Sequence, residues 1–216
     1  MERYKSLKDH VYDYIAEQIL EGNLVPEQKI NENVICEELN ISRTPVREAL
    51  IQLSSEGVLQ NMARKGFVVK ALSEKEVGEL YAVIGVLDGY AAMLSLPNIT
   101  KKDLADMSFY IESMDLAIKA ANFEMYHKQQ LAFHNVYIEK CGNGTLIDTI
   151  SKIKNKLLKK SYVDDPEGET KAILFKTNEE HRRILEFFQN GDGEGVFKFL
   201  LEVHWTQAYA SFDAVN

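Results

Sequence analysis

A short basic segment of the sequence has residue types and spacing suited to binding a polyanion. Arg43 and Arg47 stand four residues apart in ISRTPVREAL, directly behind Ser42. Four residues make about one helical turn, so both guanidinium groups share one side of a helix. Guanidinium groups bind phosphates and guanine edges through paired hydrogen bonds. The segment is therefore suited to contacts with nucleic acid, although paired charges on helices also commonly form surface salt bridges.

Three histidines later in the chain have the chemistry to hold a metal ion. His134, His181 and His204 occur in LAFHNVY, NEEHRRIL and LEVHWTQ, each in a different predicted helix and each with apolar neighbours. Unpaired imidazoles inside a helical bundle are costly, so three that face inward would favour a shared ligand such as a metal ion. Taken singly, each histidine is more often partly exposed or hydrogen-bonded. The sequence alone does not establish that the three converge.

The elements before the arginines predict the start of a helix-turn-helix. Apolar residues recur every four positions from Leu7 to Ile19, which predicts an amphipathic helix over residues 6–21. A second, short helix is predicted over residues 32–39. Asn40 follows it, and asparagine tolerates the left-handed conformation that turns a chain out of a helix. We expect this second helix to bury Val34, Ile35 and Leu39.

The arginines themselves are predicted to open a third helix. Ser42 is a suitable N-cap, and Pro45 falls in the first turn, where its missing N–H does no harm. Arg43, Thr44 and Arg47 centre roughly 120° away from the apolar face and therefore point outward. Helix, short helix, tight turn and helix make a helix-turn-helix. The residues expected on the inward face are Val46, Ala49, Leu50 and Leu53.

Two β-rich runs follow this third helix. VLQNM and FVVKA flank a turn that contains Arg64, Lys65 and Gly66, which predicts a hairpin with a basic tip. We expect the hairpin to lie beside the third helix as a wing, so that both basic clusters face one surface. The first part of the chain is thus predicted to be a winged DNA-binding domain.

The overall charge does not oppose this prediction. The chain carries a formal net charge of −8. Charge interactions are screened beyond about 8 Å at physiological salt. The charges close to the binding surface, and not the net charge of the chain, therefore determine whether a polyanion can bind there. Between Ile41 and Gly66 the basic residues Arg43, Arg47, Arg64 and Lys65 outnumber the two glutamates. This small basic footprint favours contact with a polyanion through one face.

Composition indicates a cytoplasmic, core-forming protein. Cys36 and Cys141 are far apart and form no C-x-x-C pair, which argues against a disulfide framework and against a thiolate zinc site. The first twenty residues contain no continuous apolar segment of a signal peptide. The most apolar stretch, YAVIGVLDGYAAMLSL, is interrupted by Asp88, so we expect no membrane span.

The rest of the chain predicts only helices. Ser73 and Glu76 resemble the start of a capping box, so the domain junction is placed before Ser73. The predicted domains are residues 1–72, the winged helix-turn-helix, and residues 73–216, an all-helical antiparallel bundle. The fold class is therefore mainly α. The helices are predicted over residues 74–95, 101–120, 123–141, 145–162, 170–189 and 193–212.

The first domain resembles a known family. ISRTPVREAL, followed by LSSEGVL and ARKGFVV, is similar to the winged helix-turn-helix of GntR-family bacterial transcription regulators. The resemblance implies that Arg43, Thr44 and Arg47 read the major groove and that the wing tip from Arg64 to Gly66 lies in or near the minor groove. The sequence departs from the family pattern at Glu27, where the family often has glycine.

The second domain resembles the ligand-binding domain called FCD, for FadR C-terminal domain. AFHNVYIEKCGNGTL, EEHRRILEFFQNGDGEGVFKFL and EVHW carry this resemblance. Many members hold a divalent metal through three histidines and an aspartate one turn before the first. His134, His181 and His204 match the three histidines, so the resemblance implies a site for zinc or nickel.

The position of the family's aspartate is occupied by Gln130. Its carbonyl oxygen is neutral, so the site loses one negative charge, which weakens the binding of a hard cation. His127 does not replace it, because seven residues separate it from His134, roughly 10 Å along a helix. Gln130 is nevertheless the fourth candidate ligand, and three histidines with water in the open positions remain suited to zinc or nickel.

A second departure concerns the effector. The family often has arginine where this chain has Ile84, and that arginine is suited to anchoring an organic acid. Its absence makes a carboxylate held there less favourable, although an organic acid or another metabolite remains the expected class of effector. The simpler reading of Ile84 is that it extends the apolar face of its helix.

We expect a homodimeric transcription regulator, and repression is the commoner outcome in such families. It would bind a palindromic operator in double-stranded DNA and respond to a small molecule, with or without a metal. One variant is a metal sensor, in which the ion itself is the signal. The alternative from another class is a metal-dependent hydrolase that uses the three-histidine site, with Glu180 as general base.

Overall fold

The computed structural model describes residues 6–20, 22–157 and 165–214. These residues divide into two compact units. One is built from the chain up to Glu74 with two short later pieces that begin at Lys154 and Asp213, and the other from the remaining described residues. Each unit has its own cluster of buried apolar side chains.

The first unit begins with three helices, α1 (Leu7–Leu20), α2 (Glu32–Leu39) and α3 (Arg43–Ser55). Val11, Ile15 and Ile19 are buried in the same cluster as the predicted inward residues of α3. One expectation was wrong at the edge of this cluster. Val34, which was expected to be buried, is 42% exposed.

The turn between α2 and α3 has the predicted geometry. Asn40 adopts the left-handed conformation, with φ of 51°, and its N–H bonds to the carbonyls of Cys36 and Glu37. Ser42 takes the extended conformation of an N-cap, but its hydroxyl makes no capping hydrogen bond. Ser42 therefore occupies the predicted position without the predicted bond. The predicted helix-turn-helix is confirmed.

The hairpin is also confirmed. β1 (Leu59–Met62) and β2 (Gly66–Val69) pair antiparallel, with Met62 opposite Gly66. The three residues between the strands form the tip of the wing. Arg64 has φ of 67° and Gly66 has φ of 80°, so the turn depends on two left-handed residues, and only the glycine takes this conformation without strain.

The later helices are α4 (Glu74–Ser95), α5 (Lys101–Lys119), α6 (Phe123–Ile138), α7 (Gly144–Leu157), α8 (Glu169–Asn190) and α9 (Gly193–Phe199). α5 packs against both α6 and α8. Core side chains include Met107, Met114, Phe133 and Tyr137. The helices predicted over residues 74–95, 101–120, 123–141 and 170–189 agree with α4, α5, α6 and α8 to within three residues at each end. The helix predicted over residues 145–162 corresponds to α7, and residues 158–162 lie outside the described residues.

The helix predicted over residues 193–212 was wrong. α9 ends at Phe199 and passes into a π-turn over Leu200–His204, closed by a bond from the N–H of Trp205 to the carbonyl of Leu200. Thr206 is extended and caps a 3₁₀ turn at Gln207–Tyr209, which leads into α10 (Ala210–Asp213). Apolar periodicity continues through this segment and hides the change in backbone hydrogen bonding.

Among the described residues, one helical segment, Glu74–Asn98, is long and apolar enough to cross a membrane. Asp88 in its middle has no exposed surface and accepts a hydrogen bond from Trp205. A core helix passes the same test of length and composition. The buried polar contact shows that the side of α4 that carries Asp88 packs inside the second unit.

Candidate functional site

The start of α3 presents the predicted basic side chains to solvent. Arg43, Thr44 and Arg47 are exposed, whereas Val46 and Leu50 on the opposite side have no exposed surface. The outward geometry expected from helical periodicity is therefore present. Arg43 is already oriented, since its Nη2 donates to Oδ1 of Asn33 on α2 over 2.9 Å.

The wing tip is exposed as well. Arg64 and Lys65 are exposed and Gly66 is half-buried. Because α3 contacts β1, the wing is packed beside the helix that carries Arg43 and Arg47. One unit therefore carries all seven predicted DNA-binding residues, which begin with Ser42 and end with Gly66.

The three histidines converge, which the sequence could not establish. His134 comes from α6, His181 from α8 and His204 from the π-turn, and none is more than 4% exposed. The ring of His134 has its centroid 5.3 Å from that of His181 and 5.1 Å from that of His204. One nitrogen of each ring lies within 4.8 Å of the others, so shifts on the order of 1 Å would let them share an ion.

An oxygen atom stands behind each histidine, at Nδ1. His134 Nδ1 lies 3.1 Å from Oδ2 of Asp88, and His204 Nδ1 lies 3.0 Å from Oε2 of Glu180. Carboxylates only accept hydrogen bonds, so these two Nδ1 atoms carry the protons. The hydroxyl of Tyr137, 2.6 Å from the same Nδ1 of His134, donates to Asp88 and is therefore consistent with this tautomer.

Because both Nδ1 atoms carry protons, the lone pairs of His134 and His204 are on their Nε2 atoms, and these two lone pairs face each other. Nε2 of His134 and Nε2 of His204 are 3.2 Å apart. With both Nδ1 atoms protonated, this contact is repulsive unless a cation lies at the nitrogens. Two nitrogens bound to one tetrahedral zinc at about 2.05 Å stand roughly 3.3 Å apart. The donor set therefore fits a zinc-like ion, and a proton is the other cation it can hold.

Negative charge behind the histidines supports a cation at their centre. Asp88 is fully buried and accepts from Trp205 Nε1 over 2.8 Å, while Glu180 accepts from the hydroxyl of Tyr209 over 2.6 Å. Burial and the adjacent Asp88 carboxylate raise the pKa of Tyr137 well above its ordinary value. Burial, followed by the hydrogen bond to Glu180, also raises the pKa of Tyr209. Both tyrosines therefore stay protonated donors.

Two glycines of α4 allow these groups to meet. A Cβ on Gly89 would lie 2.9 Å from the carbonyl oxygen of Phe197, and one on Gly85 would lie 3.2 Å from Cβ of Trp205. The backbone of α4 therefore approaches α9 and the π-turn closely, on either side of Asp88. This approach brings Asp88 within reach of Trp205, and the neighbouring π-turn carries His204.

Comparison with known proteins assigns each of the two units to a protein family. The profile of bacterial regulatory proteins of the gntR family matches residues 7–69, and that of the FCD domain matches residues 79–203. The second match covers more than half of the chain, includes His134 and His181, and ends one residue before His204. The chain belongs to the gntR family of regulators with an FCD domain.

Relatives and solved structures agree with this assignment. The HTH-type transcriptional regulator YdhC of Bacillus subtilis is 27% identical over 88% of this chain and 84% of its own length. The gluconate operon transcriptional repressor of Bacillus licheniformis is 29% identical over 63% of this chain and 56% of its own length. The structure of McbR/YncC of Escherichia coli superposes with a TM-score of 0.82 at 23% identity, over 97% of this chain and 98% of that one, which shows the fold alone.

A GntR/FCD chain is a sequence-specific DNA-binding transcription regulator, with a C-terminal domain that binds an effector. The hydrolase alternative is not supported, since the chain belongs to a family of regulators. Its expected general base, Glu180, uses one carboxylate oxygen on His204 and the other on Tyr209. In this GntR/FCD chain Glu180 orients a histidine.

Sequence reasoning missed the partners of the histidines in this GntR/FCD domain. In the sequence Asp88 stands out only as a break in an apolar stretch, and no pattern marks Asn178. One signal was available, because Gly85 and Gly89 flank Asp88 at the spacing that lets helices approach closely. Ile84 is fully buried, in agreement with its apolar interpretation. Gln130 is partly buried on α6, one turn before His134, and its role as a ligand stays a prediction.

Proposed function

We propose that this regulator is a homodimeric repressor whose operator affinity depends on a divalent metal ion and a small-molecule effector bound in the FCD domain. The observation that carries the metal site is the arrangement of His134 and His204, whose Nδ1 atoms face carboxylates and whose Nε2 atoms lie 3.2 Å apart. Zinc or nickel fits three imidazoles. Asp88 and Glu180 supply negative charge that Gln130 does not.

The ion would also give the effector a place to bind. Three histidines leave at least one coordination position open on a tetrahedral ion. Water would fill this position, and an oxygen of an organic acid could replace it. A carboxylate effector then needs no arginine at the position of Ile84. We therefore expect the effector to be a small anionic metabolite with an oxygen that can bind the metal.

DNA recognition is assigned to the first unit. Arg43 and Arg47 would form paired hydrogen bonds with guanine or phosphate in the major groove, with Thr44 beside them. Arg64 and Lys65 would contact the adjacent groove, where Gly66 allows close approach of the backbone. Ser42 would place the N–H groups at the start of α3 against a phosphate.

An exposed apolar stripe on α4 supports self-association. Val83, Val86, Tyr90 and Met93 are each between 37% and 50% exposed, and their spacing places them on one side of the helix. Exposed apolar surface of this kind marks protein interfaces. A twofold pairing through the stripe would present two winged units to the two halves of a palindromic operator. We infer a cytoplasmic protein, because the operator is genomic DNA.

Ligand and DNA must be coupled in both directions. A ligand changes operator affinity only if it binds the two arrangements of the dimer differently, and DNA then changes ligand affinity by the same factor. The variant in which the ion alone is the signal differs only in the ligand. Titrating operator affinity against free zinc without metabolites separates the two.

The decisive experiment is selection of bound sequences from a random DNA pool by the full-length protein, with zinc and after treatment with a chelator. We expect a palindromic consensus and an operator affinity that changes when a metabolite library is added to the zinc-loaded protein. The proposal fails if no sequence is enriched at low salt. If a consensus emerges but neither zinc nor any metabolite alters affinity, the DNA assignment stands and the ligand assignment is wrong.

A further inference from the structure

His181 is the one metal-site histidine whose Nδ1 faces an amide instead of a carboxylate. Its Nδ1 lies 3.2 Å from Oδ1 of Asn178, one turn earlier on α8. An amide is ambiguous in this position, because its oxygen accepts a hydrogen bond and its nitrogen donates one. The two orientations select opposite tautomers of the imidazole. Only the tautomer with a proton on Nδ1 has a lone pair on Nε2, which a metal ion requires.

The surroundings of Asn178 remove this ambiguity. Its Nδ2 donates to the carbonyl of Ile111 over 2.9 Å and to Oδ1 of Asp115 over 2.7 Å, both on α5. Both partners are acceptors, so the amide nitrogen must face α5 and the amide oxygen must face His181. Asn178 has no exposed surface, so water does not compete for these bonds.

Asp115 is itself held in place from the surface. Its Oδ2 forms an ion pair with Nη2 of Arg182, which also pairs with Glu179. The side chain of Asp115 is 21% exposed and that of Arg182 is 34% exposed. A connected series of bonds therefore runs from an ion pair near the surface, through the amide of Asn178, to the imidazole of His181.

We propose that Asn178 is a positioning residue that, held by Asp115, sets the tautomer of His181 and presents its Nε2 to the metal ion. The inference rests on the proposed metal site but makes a separate claim about the metal-free protein. Groups that orient metal-binding histidines typically change metal affinity 10- to 100-fold when removed. Asp115 has no contact with the ion in this assignment, and its effect is indirect.

The test uses the full-length protein, with Asn178→Leu and Asp115→Ala as variants and Glu179→Gln as the matched control. The control alters the same arginine without touching Asn178. Two quantities are measured: zinc affinity by competition with a chelator, and the tautomer of His181 in the metal-free protein by nitrogen-15 NMR of the imidazole. The second measurement does not require metal.

We expect Asn178→Leu to weaken zinc binding about 10- to 100-fold and to remove the preference for the Nδ1 proton on His181. Asp115→Ala should weaken zinc binding about 3- to 10-fold, and Glu179→Gln should leave both quantities unchanged. If Asn178→Leu does not fold, the Asp115→Ala variant tests the inference instead. Asp115 is partly exposed, so this substitution should leave the protein folded. The inference is overturned if metal-free wild type carries the proton on Nε2 of His181, or if both variants bind zinc within twofold of wild type.

Failure of the metal site would give a different result. Wild-type protein would then bind no zinc, while the nitrogen-15 spectrum would still report the tautomer of His181. A proton on Nδ1 that is lost in Asn178→Leu would uphold the positioning role in the absence of any metal. The two proposals are therefore tested independently.

Discussion

Trp205 donates its indole N–H to Oδ2 of Asp88 over 2.8 Å, and Asp88 is the carboxylate behind His134. The indole ring is also 5.3 Å from the ring of His204 and 5.8 Å from that of His134. This is the single tryptophan of the chain. Its fluorescence therefore reports directly on the candidate metal site.

The first prediction follows from this contact. Zinc should change the fluorescence of Trp205 in a saturable, one-to-one titration, and nickel should quench it. His134→Ala should abolish the response and reduce the bound metal, measured by elemental analysis of the dialysed protein, because two imidazoles cannot replace three. His10→Ala, an exposed histidine of α1, is the control and should behave as wild type. Equal metal content in His134→Ala and wild type would contradict the site.

The second prediction concerns base reading by Arg47. If it contacts a base edge, Arg47→Ala should weaken operator binding by about 1–3 kcal/mol and weaken random DNA much less. Arg183→Ala is a matched control, since this arginine is exposed in the second unit. Fluorescence anisotropy with both DNA types measures the difference. Equal losses on operator and random DNA would restrict Arg47 to phosphate contact.

The third prediction tests the close approach of α4. In Gly89→Ala the new methyl group would lie 2.9 Å from the carbonyl of Phe197, so we expect the free energy of unfolding to fall by about 1–3 kcal/mol and zinc affinity to fall with it. Gly78→Ala is the control on the same helix, because its Cβ would meet its nearest neighbour at an ordinary 3.7 Å. It should be neutral or stabilising by up to about 1 kcal/mol. Equal effects of the two substitutions would show that the close contact of Gly89 with Phe197 does not matter for stability.

The fourth prediction concerns the apolar stripe of α4. Val86→Glu should shift the protein from dimer to monomer in sedimentation velocity, because it places a charge in an apolar contact. Phe109→Glu is the control, since Phe109 is an exposed apolar residue of α5 outside the stripe. Dissociation by Phe109→Glu, with Val86→Glu still dimeric, would move the interface to α5.

The fifth prediction is a pH dependence of stability. A hydrogen bond from Lys140, followed by one from Thr100, lowers the pKa of Asp103 to about 2. A folded-state pKa below the unfolded value means that the carboxylate stabilises the fold above the unfolded pKa, and that this stabilisation is lost as the pH falls through the folded pKa. Because solvent screens this ion pair, Asp103→Asn should lower the free energy of unfolding by about 1 kcal/mol at pH 7, and the difference should shrink between about pH 4 and pH 2.

Denaturant unfolding of wild type and variant across this range measures the effect. Asp106→Asn on the same helix serves as the control for exchanging a carboxylate for an amide. A difference between Asp103→Asn and wild type that does not depend on pH would show that the charge of the Asp103 carboxylate does not stabilise the fold.

Local features could be predicted from the sequence because they depend on residues within one helical turn. The outward direction of Arg43 and Arg47 follows from the 3.6-residue period, and the turn at Asn40 follows from its tolerance of the left-handed conformation. The end of α9 could not be predicted in this way. The π-turn at Leu200–His204 leaves the apolar periodicity intact, while the N–H of Trp205 reaches the carbonyl of Leu200, five residues back, instead of four.

The sequence by itself determined the winged helix-turn-helix, the helical second part and the identity of three candidate ligands. Only the tertiary structure decided that the three histidines meet, and that Asp88, Glu180 and Asn178 stand behind them. The physical reason is distance along the chain. His134 and His204 are 70 residues apart and Asp88 and Trp205 are 117 apart, so their contacts depend on how helices pack, which no pattern within a single helix encodes.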